Sequence, residues 1–363
     1  MTAARALAPA HPALAVRRPG RGLLLAGLAV GLFIAMLLSI DIGATAAGLG
    51  DLPGLLHSRW TGAALDAGQQ VDWLVLLDIR LPRAVLGLLV GGALGAAGAV
   101  MQGLFRNPLA DPGLIGVSAG AALATALVIV LGDGALAALV TPLGRWAQPL
   151  AGLAGSFVGA LLLYGLATRR GATSIAIVLL GGIALSAFAG ALTGVLVFVA
   201  NDRELRDLTF WTLGSLSGAS WPGIAALLPF VAIGGLCLPL LATTLNAFLL
   251  GEADAYHMGA PVERAKRLAL LATACLVGAT VSAVGIIGFI GVLVPNLLRL
   301  VIGPDHRVLL PASAMLGAAL LLLSDTAART IAAPAEMPVG VVTALVGAPC
   351  FFWLLLRESR AVG

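Results

Sequence analysis

The stretch IRLPRAVLGLLVGGALGAAGAVMQGLFRNPLADPGLIGVSAG, residues 79–120, decides the fold class of this chain. Between its second and third arginines it carries no charged side chain, over a length sufficient for the ~20 residues that a helix needs to cross a bilayer. Gly87, Gly91 and Gly95 recur at every fourth position, which aligns them as one flat ridge on a helix. The pattern predicts a membrane-spanning helix that packs closely against a neighbour.

The whole chain has the same character as this stretch. Of its 363 residues, 60% are hydrophobic and 10% are charged, whereas soluble domains carry about 25% charged residues. The 47 glycines are typical of helices that approach each other closely in lipid. This composition excludes a soluble protein and predicts an all-α polytopic membrane protein.

Long uncharged runs predict the positions of the membrane spans. Nine of these runs are long, and a shorter run at 292–302 covers only about half of the hydrocarbon layer. The shorter run must therefore pack inside protein, and counting it gives ten spans. The run at 22–40 is longer than the usual core of a signal peptide and is expected to be an uncleaved first span. The long runs are 22–40, 84–104, 114–131, 147–167, 174–198, 222–245, 268–287, 308–328 and 338–356.

Ten spans with both termini in the cytoplasm agree with the distribution of charge. This topology places two thirds of the 21 Lys and Arg residues inside and most of the 17 acidic residues outside, as the positive-inside rule requires. It divides the chain into a cytoplasmic segment 1–21, a transmembrane domain 22–356 and a cytoplasmic tail 357–363. Trp221-Pro222 and the glycines between 285 and 291 interrupt two of the apolar runs, and such broken helices are common in transporters.

Several kinds of chemistry are not expected of this chain. The sequence contains no GxxxxGK[ST] phosphate loop and no HExxH motif. The GxSxG string at 116–120 opens an apolar helix, and all four histidines map outside the predicted spans. The three cysteines lie in apolar runs without metal-ligand spacing. We therefore expect no catalytic residue, no metal site and no nucleic-acid partner. No charged residue maps to the middle of a long span, which disfavours an ion-coupled carrier and points to energy from a partner.

Residues 79–120 resemble the FecCD-type permeases of bacterial ABC importers for iron-siderophores, haem and cobalamin. The resemblance continues in the strings LLGEADAYHMGAP (249–261), GIIGFIGVLVPNLLRL (285–300), DHRVLLP (305–311) and MPVGVVTALVGAPCFFWLLLR (337–357). It implies the type II ABC importer permease fold with ten helices per subunit, in the bacterial inner membrane. It also implies a homodimer, two ATP-binding subunits and a periplasmic substrate-binding protein.

The cytoplasmic loop at about 246–261 is the candidate contact with the ATPase. Its glycine and proline stop signals leave room for about three turns of short helix between Asn246 and Met258. From the residues alone, a surface helix resting on the membrane is an alternative. The resemblance implies that the loop is the family's coupling loop, and the matching positions are Gly251, Glu252, Ala253 and Gly259.

Three arginines on the predicted outer side are candidates for docking of the binding protein. Arg80 and Arg83 flank a proline before the second span, and Arg329 ends the ninth. The resemblance implies that arginines at such positions receive glutamates of the binding protein. The alternative for Arg329 is a pair with Asp325, four residues earlier on the same helix.

The segment LRDLTFWTLGSL, 205–216, is most similar to the haem branch of the family. This resemblance implies that haem is transported, not permanently bound, with ferric siderophore and cobalamin as alternatives. Phe198, Phe210 and Trp211 are candidate pathway residues that could stack on a flat macrocycle, or could pack against neighbouring spans. Outside this family, an ion-coupled secondary transporter remains the alternative class.

Overall fold

The computed structural model describes residues 20–43, 45–62, 65–169, 172–333 and 335–362. Most of this part of the chain is helical. Its helices, in chain order, are α1 (Arg21–Asp41), α2 (Leu52–Thr61), α3 (Ala67–Trp73), α4 (Leu81–Phe105), α5 (Val117–Leu131), α6 (Ala137–Val140), α7 (Ala147–Ala167), α8 (Ile175–Val199), α9 (Asp202–Thr212), α10 (Trp221–Phe248), α11 (Glu252–His257), α12 (Val262–Val284), α13 (Ile290–Ile302), α14 (His306–Ile331) and α15 (Val339–Val362).

The helices confirm the predicted all-α polytopic fold. Among the described residues, seven helical stretches are long and apolar enough to cross a membrane by length and composition, and three shorter apolar helices accompany them. The shorter helices are α5, α13 and the Val339–Leu354 part of α15. They coincide with the three remaining predicted spans, so each of the ten predicted positions carries an apolar helix.

The two expected terminal segments are described only in part. Helix α15 continues to Val362, so residues 357–362 of the expected cytoplasmic tail are helical, and the location of this tail stays a prediction. Most of the expected N-terminal segment 1–21 lies outside the described residues. The short antiparallel hairpin β1 (Thr168–Arg169) and β2 (Ala172–Thr173), which joins α7 to α8, was not predicted.

Helix α4 is the central helix and packs against α1, α10, α12, α13 and α14. Its glycine ridge lies on α14, as the spacing predicts. A Cβ atom added at Gly91 would lie 2.4 Å from the carbonyl oxygen of Gly317, and one at Gly95 would lie 2.2 Å from that of Ser313. Both distances are far below van der Waals contact, so this approach of two backbones requires glycine.

Both expected helix interruptions are present. Helix α10 begins at Trp221 with Ser220 as its N-cap, whose side chain accepts a hydrogen bond from the Gly223 amide. Helix α12 ends before Gly285, which has φ of 77°, and α13 restarts at Ile290. The backbone between α12 and α13 is therefore non-helical within an apolar part of the chain, where surrounding protein must satisfy its polar groups.

We call the two ends of the bundle the α9 end and the α11 end, after the short helix at each. The α9 end contains the start of α4 and the end of α14, which meet through Arg83 and Asp325. The α11 end contains the end of α4 and the start of α14, where Gly103 lies against the His306 ring. The charge distribution predicts that the α9 end is outside and the α11 end is cytoplasmic.

The close contact of α4 with α14 generates a prediction for stability. Gly95→Leu should lower the thermal unfolding midpoint of the detergent-solubilised protein by several degrees, because a side chain there must displace backbone, and overpacking costs about 1–3 kcal/mol or more. Gly31→Leu is the matched control, since no atom lies within 4 Å of a Cβ at Gly31. Equal unfolding midpoints for the two variants would contradict this account of the ridge.

Candidate functional site

A buried ion cluster joins α4 to α14 at the α9 end. The Nε and Nη2 atoms of Arg83 donate to the Asp325 carboxylate at 3.0–3.1 Å, and its Nη1 donates to both oxygens of Glu336 at 3.1 Å. Asp325 also pairs with Nε of Arg329 at 3.3 Å. The Asp325 side chain is 1% exposed, whereas that of Glu336 is 50% exposed. Glu336 is therefore the one member of this cluster that solvent reaches readily.

Arg80 is also buried, and it forms hydrogen bonds with the segment that follows α1. It lies at the end of a π-helical stretch, Leu74–Arg80, that leads into α4. Its Nη1 donates to the carbonyl oxygens of Ile40, Asp41 and Ala47 at 3.0, 2.6 and 2.6 Å, and its Nη2 donates to Thr45. A guanidinium has five donors in a fixed plane, so one side chain can hold several carbonyl groups of this segment.

These contacts change the interpretation of the three arginines expected to dock a binding protein. Arg80, Arg83 and Arg329 are each less than a tenth exposed and bonded within the chain, so the structure does not present them as free surface charges. The alternative for Arg329, a pair with Asp325, is confirmed. The three arginines are buried because acceptor groups from segments distant in sequence pack against them. A role in receiving a partner stays a prediction.

A cavity of about 340 Å³ lies beside this cluster. It brings Phe210 and Trp211 together with Glu336, so two of the three aromatic candidates share one space with the ion cluster. Phe198 is not among the lining residues and is exposed at the end of α8. The lining consists of Phe210, Trp211, Ser215, Ser217, Gly218, Ala283, Val284, Glu336 and Pro338.

Helix α9, which carries these two aromatic residues, is defined by its own sequence. Asn201 caps its N-terminus and accepts from the amides of Arg203 and Glu204, while the Glu204 carboxylate accepts from the Asn201 amide. This reciprocal capping box fixes the start of the helix. The helix ends at Thr212, and Gly214 follows with a φ of 72°, so the chain turns back toward α10 directly after Trp211.

At the α11 end, the candidate coupling segment is shorter than predicted. Helix α11 has six residues, Glu252–His257, instead of about three turns, because α10 continues to Phe248 and takes up the first part of the expected helix. Gly251 and Gly259 flank α11 with φ values of 122° and 81°. These positive angles explain why glycine occupies both positions.

Helix α11 has one buried and one exposed face. Ala255 is buried, while Ala253 is exposed and Tyr256 is 69% exposed. Glu252 forms an ion pair with the buried Lys266 of α12. An open groove of about 680 Å³ runs beside the helix and is lined by Glu252, Ala253, Tyr256, His257, Ala260, Pro261, Val262, Glu263 and Arg264.

Two functional candidates were missed by sequence reasoning. Glu336 lies in the loop before α15, and no local pattern connects it with Arg83, which is 253 residues away. Lys266 is the other candidate, and the charge distribution identifies it only as one of the cations of the predicted inner side. Its spacing of three residues from Glu263 on one helix was an available signal for a pair. No group of three or more His, Cys, Asp or Glu side chains in the described part of the chain could hold a metal ion.

A bundle of apolar helices with broken spans and a polar cluster at each end defines a polytopic membrane protein of the transporter type. The chain belongs to the FecCD transport family, whose model matches residues 23–357. It is 42% identical to the hemin transport system permease protein of Yersinia pestis over 337 residues, which cover 92% of this chain and 96% of the relative.

Two further comparisons support this assignment. The chain is 46% identical to the cobalamin import system permease protein of Halobacterium salinarum over 285 residues, 78% of this chain and 74% of the relative. It is also similar to a solved structure, described as an inward-facing conformation of an ABC transporter assigned to the metal-chelate type. That similarity has a TM-score of 0.77 and 28% identity, and it covers 93% of this chain and 100% of the other.

The buried ion cluster generates a prediction for the α9 end. Asp325→Asn should destabilise the protein by about 3–5 kcal/mol, because removing one partner leaves Arg83 and Arg329 buried without their shared carboxylate. The control is Asp207→Asn, which removes one carboxylate from an exposed pair with Arg203 on α9 and should change stability little. Denaturant unfolding of the two variants checks this, and similar losses would contradict the buried pairing.

Proposed function

We propose that this chain is the permease subunit of a binding-protein-dependent ABC importer that moves haem from the periplasm to the cytoplasm. Two partner subunits hydrolyse ATP, and the permease works as a homodimer in the bacterial inner membrane with both termini in the cytoplasm. The observation that carries this proposal is the 42% identity to a hemin permease over nearly the full length of both chains. The chain itself supplies the gated route for the substrate, and the partner subunits supply the hydrolysis of ATP.

The cavity at the α9 end supports a flat, already chelated substrate. Phe210 and Trp211 offer aromatic faces for stacking on a macrocycle. The described residues that line this cavity include no His, Cys, Met or Tyr, which are the side chains that ligate haem iron. A substrate that keeps its own ligands can therefore enter without ligand exchange, and weak binding favours its release. Cobalamin is the second candidate, because a cobalamin permease is 46% identical over 285 residues.

Uptake by the reconstituted importer tests the substrate. Proteoliposomes that contain the permease and its ATPase subunits should accumulate haem in the presence of ATP and a haem-binding protein. Cobalamin and a ferric siderophore, each delivered by its own binding protein, should be taken up more slowly, because entry depends on recognition by the matching permease surface. Faster uptake of cobalamin than of haem would replace the proposed substrate with the second candidate.

The proposed ATPase contact uses the exposed face of α11 and the adjacent groove. Tyr256 and Met258 are 69% and 57% exposed on this short helix and the turn after it, an unusual position for large side chains at a solvent-facing loop. Ala255 is buried and Glu252 is paired with Lys266, so α11 has a defined orientation and can fill a complementary groove of a partner. Displacement of this helix by the nucleotide cycle would be a rigid-body transition of the kind that drives switching between states.

The proposed homodimer is supported by helix α8. Ser186, Gly190 and Gly194 form a second ridge of small residues, and no atom lies within 4 Å of a Cβ at either glycine. The corresponding ridge of α4 is filled by α14, whereas the ridge of α8 is open in the single chain. A second copy of the chain would cover this face and bring two spans together.

Replacement of a glycine on the open ridge tests the homodimer. Gly190→Leu should shift the detergent-solubilised protein from dimer toward monomer, because the added side chain prevents close approach of the second copy. Its stability as a single chain should not fall, since the site is open within the chain. Gly27→Leu, at an equally open position of α1, should remain dimeric. Native mass spectrometry measures both, and a fully dimeric Gly190→Leu protein would exclude this face as the interface.

A further inference from the structure

Lys266 is a charged side chain buried within the first turns of α12. Its side chain is 3% exposed, and a buried ammonium requires partners for its three donors. Nζ donates to Glu252 Oε1, to Glu263 Oε1 at 3.0 Å and to the carbonyl oxygen of Thr173 at 2.8 Å. The donors of this lysine are therefore all used, and each goes to a different residue.

These three partners belong to three separate parts of the chain. Glu252 is the first residue of α11, Glu263 is on α12, and Thr173 ends strand β2. Glu263 also contacts Thr173 directly, because its Oε2 accepts a hydrogen bond from the Thr173 amide at 2.9 Å. Both backbone groups of Thr173 are thus held by the Glu263–Lys266 pair. The hairpin that ends at Thr173 is fixed to α12 independently of its own two-residue ladder.

Thr173 is separated from helix α8 by a single residue. Ser174 is the N-cap of α8 and donates its own amide to the carbonyl oxygen of Ala167 at the end of α7. There is no loop between Thr173 and α8 that could absorb a displacement. A movement of Lys266 relative to the rest of the bundle is therefore passed through Thr173 to the first turn of α8.

The contacts of Lys266 resist separate movement of the parts that they join. Withdrawal of Glu252 would leave the buried ammonium with one carboxylate fewer, and removing a partner from a buried charge is strongly unfavourable. Rotation of α11 therefore carries Lys266 with it more readily than it breaks the pair. Helix α11, the start of α12 and the end of β2 form one connected unit at this end of the bundle.

We propose that Lys266 is the positioning residue that transmits displacement of α11 to helix α8, through its bonds to Glu252 and Thr173. The inference rests on the proposed function, in which α11 contacts the ATPase. Lys266 touches neither nucleotide nor substrate. It converts movement of the short α11 helix into movement of the helix with the open ridge.

The test uses the complete importer, with its ATPase subunits and binding protein, in proteoliposomes. Lys266→Met should keep the ATPase subunits bound and ATP turnover measurable, while substrate uptake per ATP hydrolysed falls about tenfold. Arg267→Met is the matched control, because Arg267 is an exposed cation directly after Lys266 on α12 and is not among the residues that line the groove beside α11. It should retain uptake per ATP within about twofold of the wild type.

Hydrogen exchange separates transmission from a structural role. In the wild-type complex, nucleotide binding should change the protection of amides at the hairpin and in the first turn of α8, and this change should be lost in Lys266→Met. A merely structural lysine would raise exchange there equally with and without nucleotide. If Lys266→Met fails to fold, Glu252→Gln provides the same test, since it weakens the α11 contact and leaves the Glu263 pair intact.

The outcomes for the inference and for the proposed function are distinct. Wild-type uptake together with normal uptake per ATP in Lys266→Met, or in Glu252→Gln if that variant is used, would overturn the inference alone. A nucleotide-dependent change in exchange that survives the substitution would do the same. Absence of ATP-driven uptake by the wild-type complex would overturn the proposed function and the inference with it.

Discussion

Helix α4 lies so close to α14 that carbonyl oxygens of α14 occupy the space where side chains of Gly91 and Gly95 would be. Lipid tails are as apolar as the helices, so this contact depends on dispersion forces and close backbone approach instead of the hydrophobic effect. The other central helices, α10, α12 and α13, pack around the same α4. The position of the polar cluster at the α9 end follows from this contact, because Arg83 in the first turn of α4 meets Asp325 only when α14 lies against the ridge.

The two ends of the bundle share one arrangement. At each end a buried cation joins three parts of the chain and has one carboxylate partner that is about half exposed. For Arg83 this carboxylate is Glu336, 50% exposed, and for Lys266 it is Glu252, 47% exposed. These carboxylates are the most exposed members of the two networks, whose cations are buried. In the proposed importer, one lies beside the cavity of the α9 end and the other begins the helix assigned to the ATPase contact.

The sequence was sufficient to predict features that depend on local pattern. The length of the apolar runs predicted the positions of the spans, and the spacing of the glycines predicted the α4 ridge. Proline and glycine residues predicted the breaks before α10 and α13. The burial of the arginines could not be predicted in this way, because their partners come from distant segments. Arg80 bonds to carbonyl groups in the segment after α1, and Arg83 to Glu336 near the start of α15. Among the ion pairs of these buried arginines, only the Asp325–Arg329 pair, with its spacing of four residues, could be predicted from local sequence.

The central claim is that this chain is a passive route whose movement is imposed by a partner's nucleotide cycle. It is tested most directly by reconstituting the purified chain in proteoliposomes, alone and with its ATPase subunits and binding protein. Substrate accumulation is then measured with ATP on the ATPase side or with an imposed proton or sodium gradient. The account predicts accumulation only in the complete system and only with ATP. Accumulation by the chain alone under an ion gradient would contradict it and favour a secondary transporter.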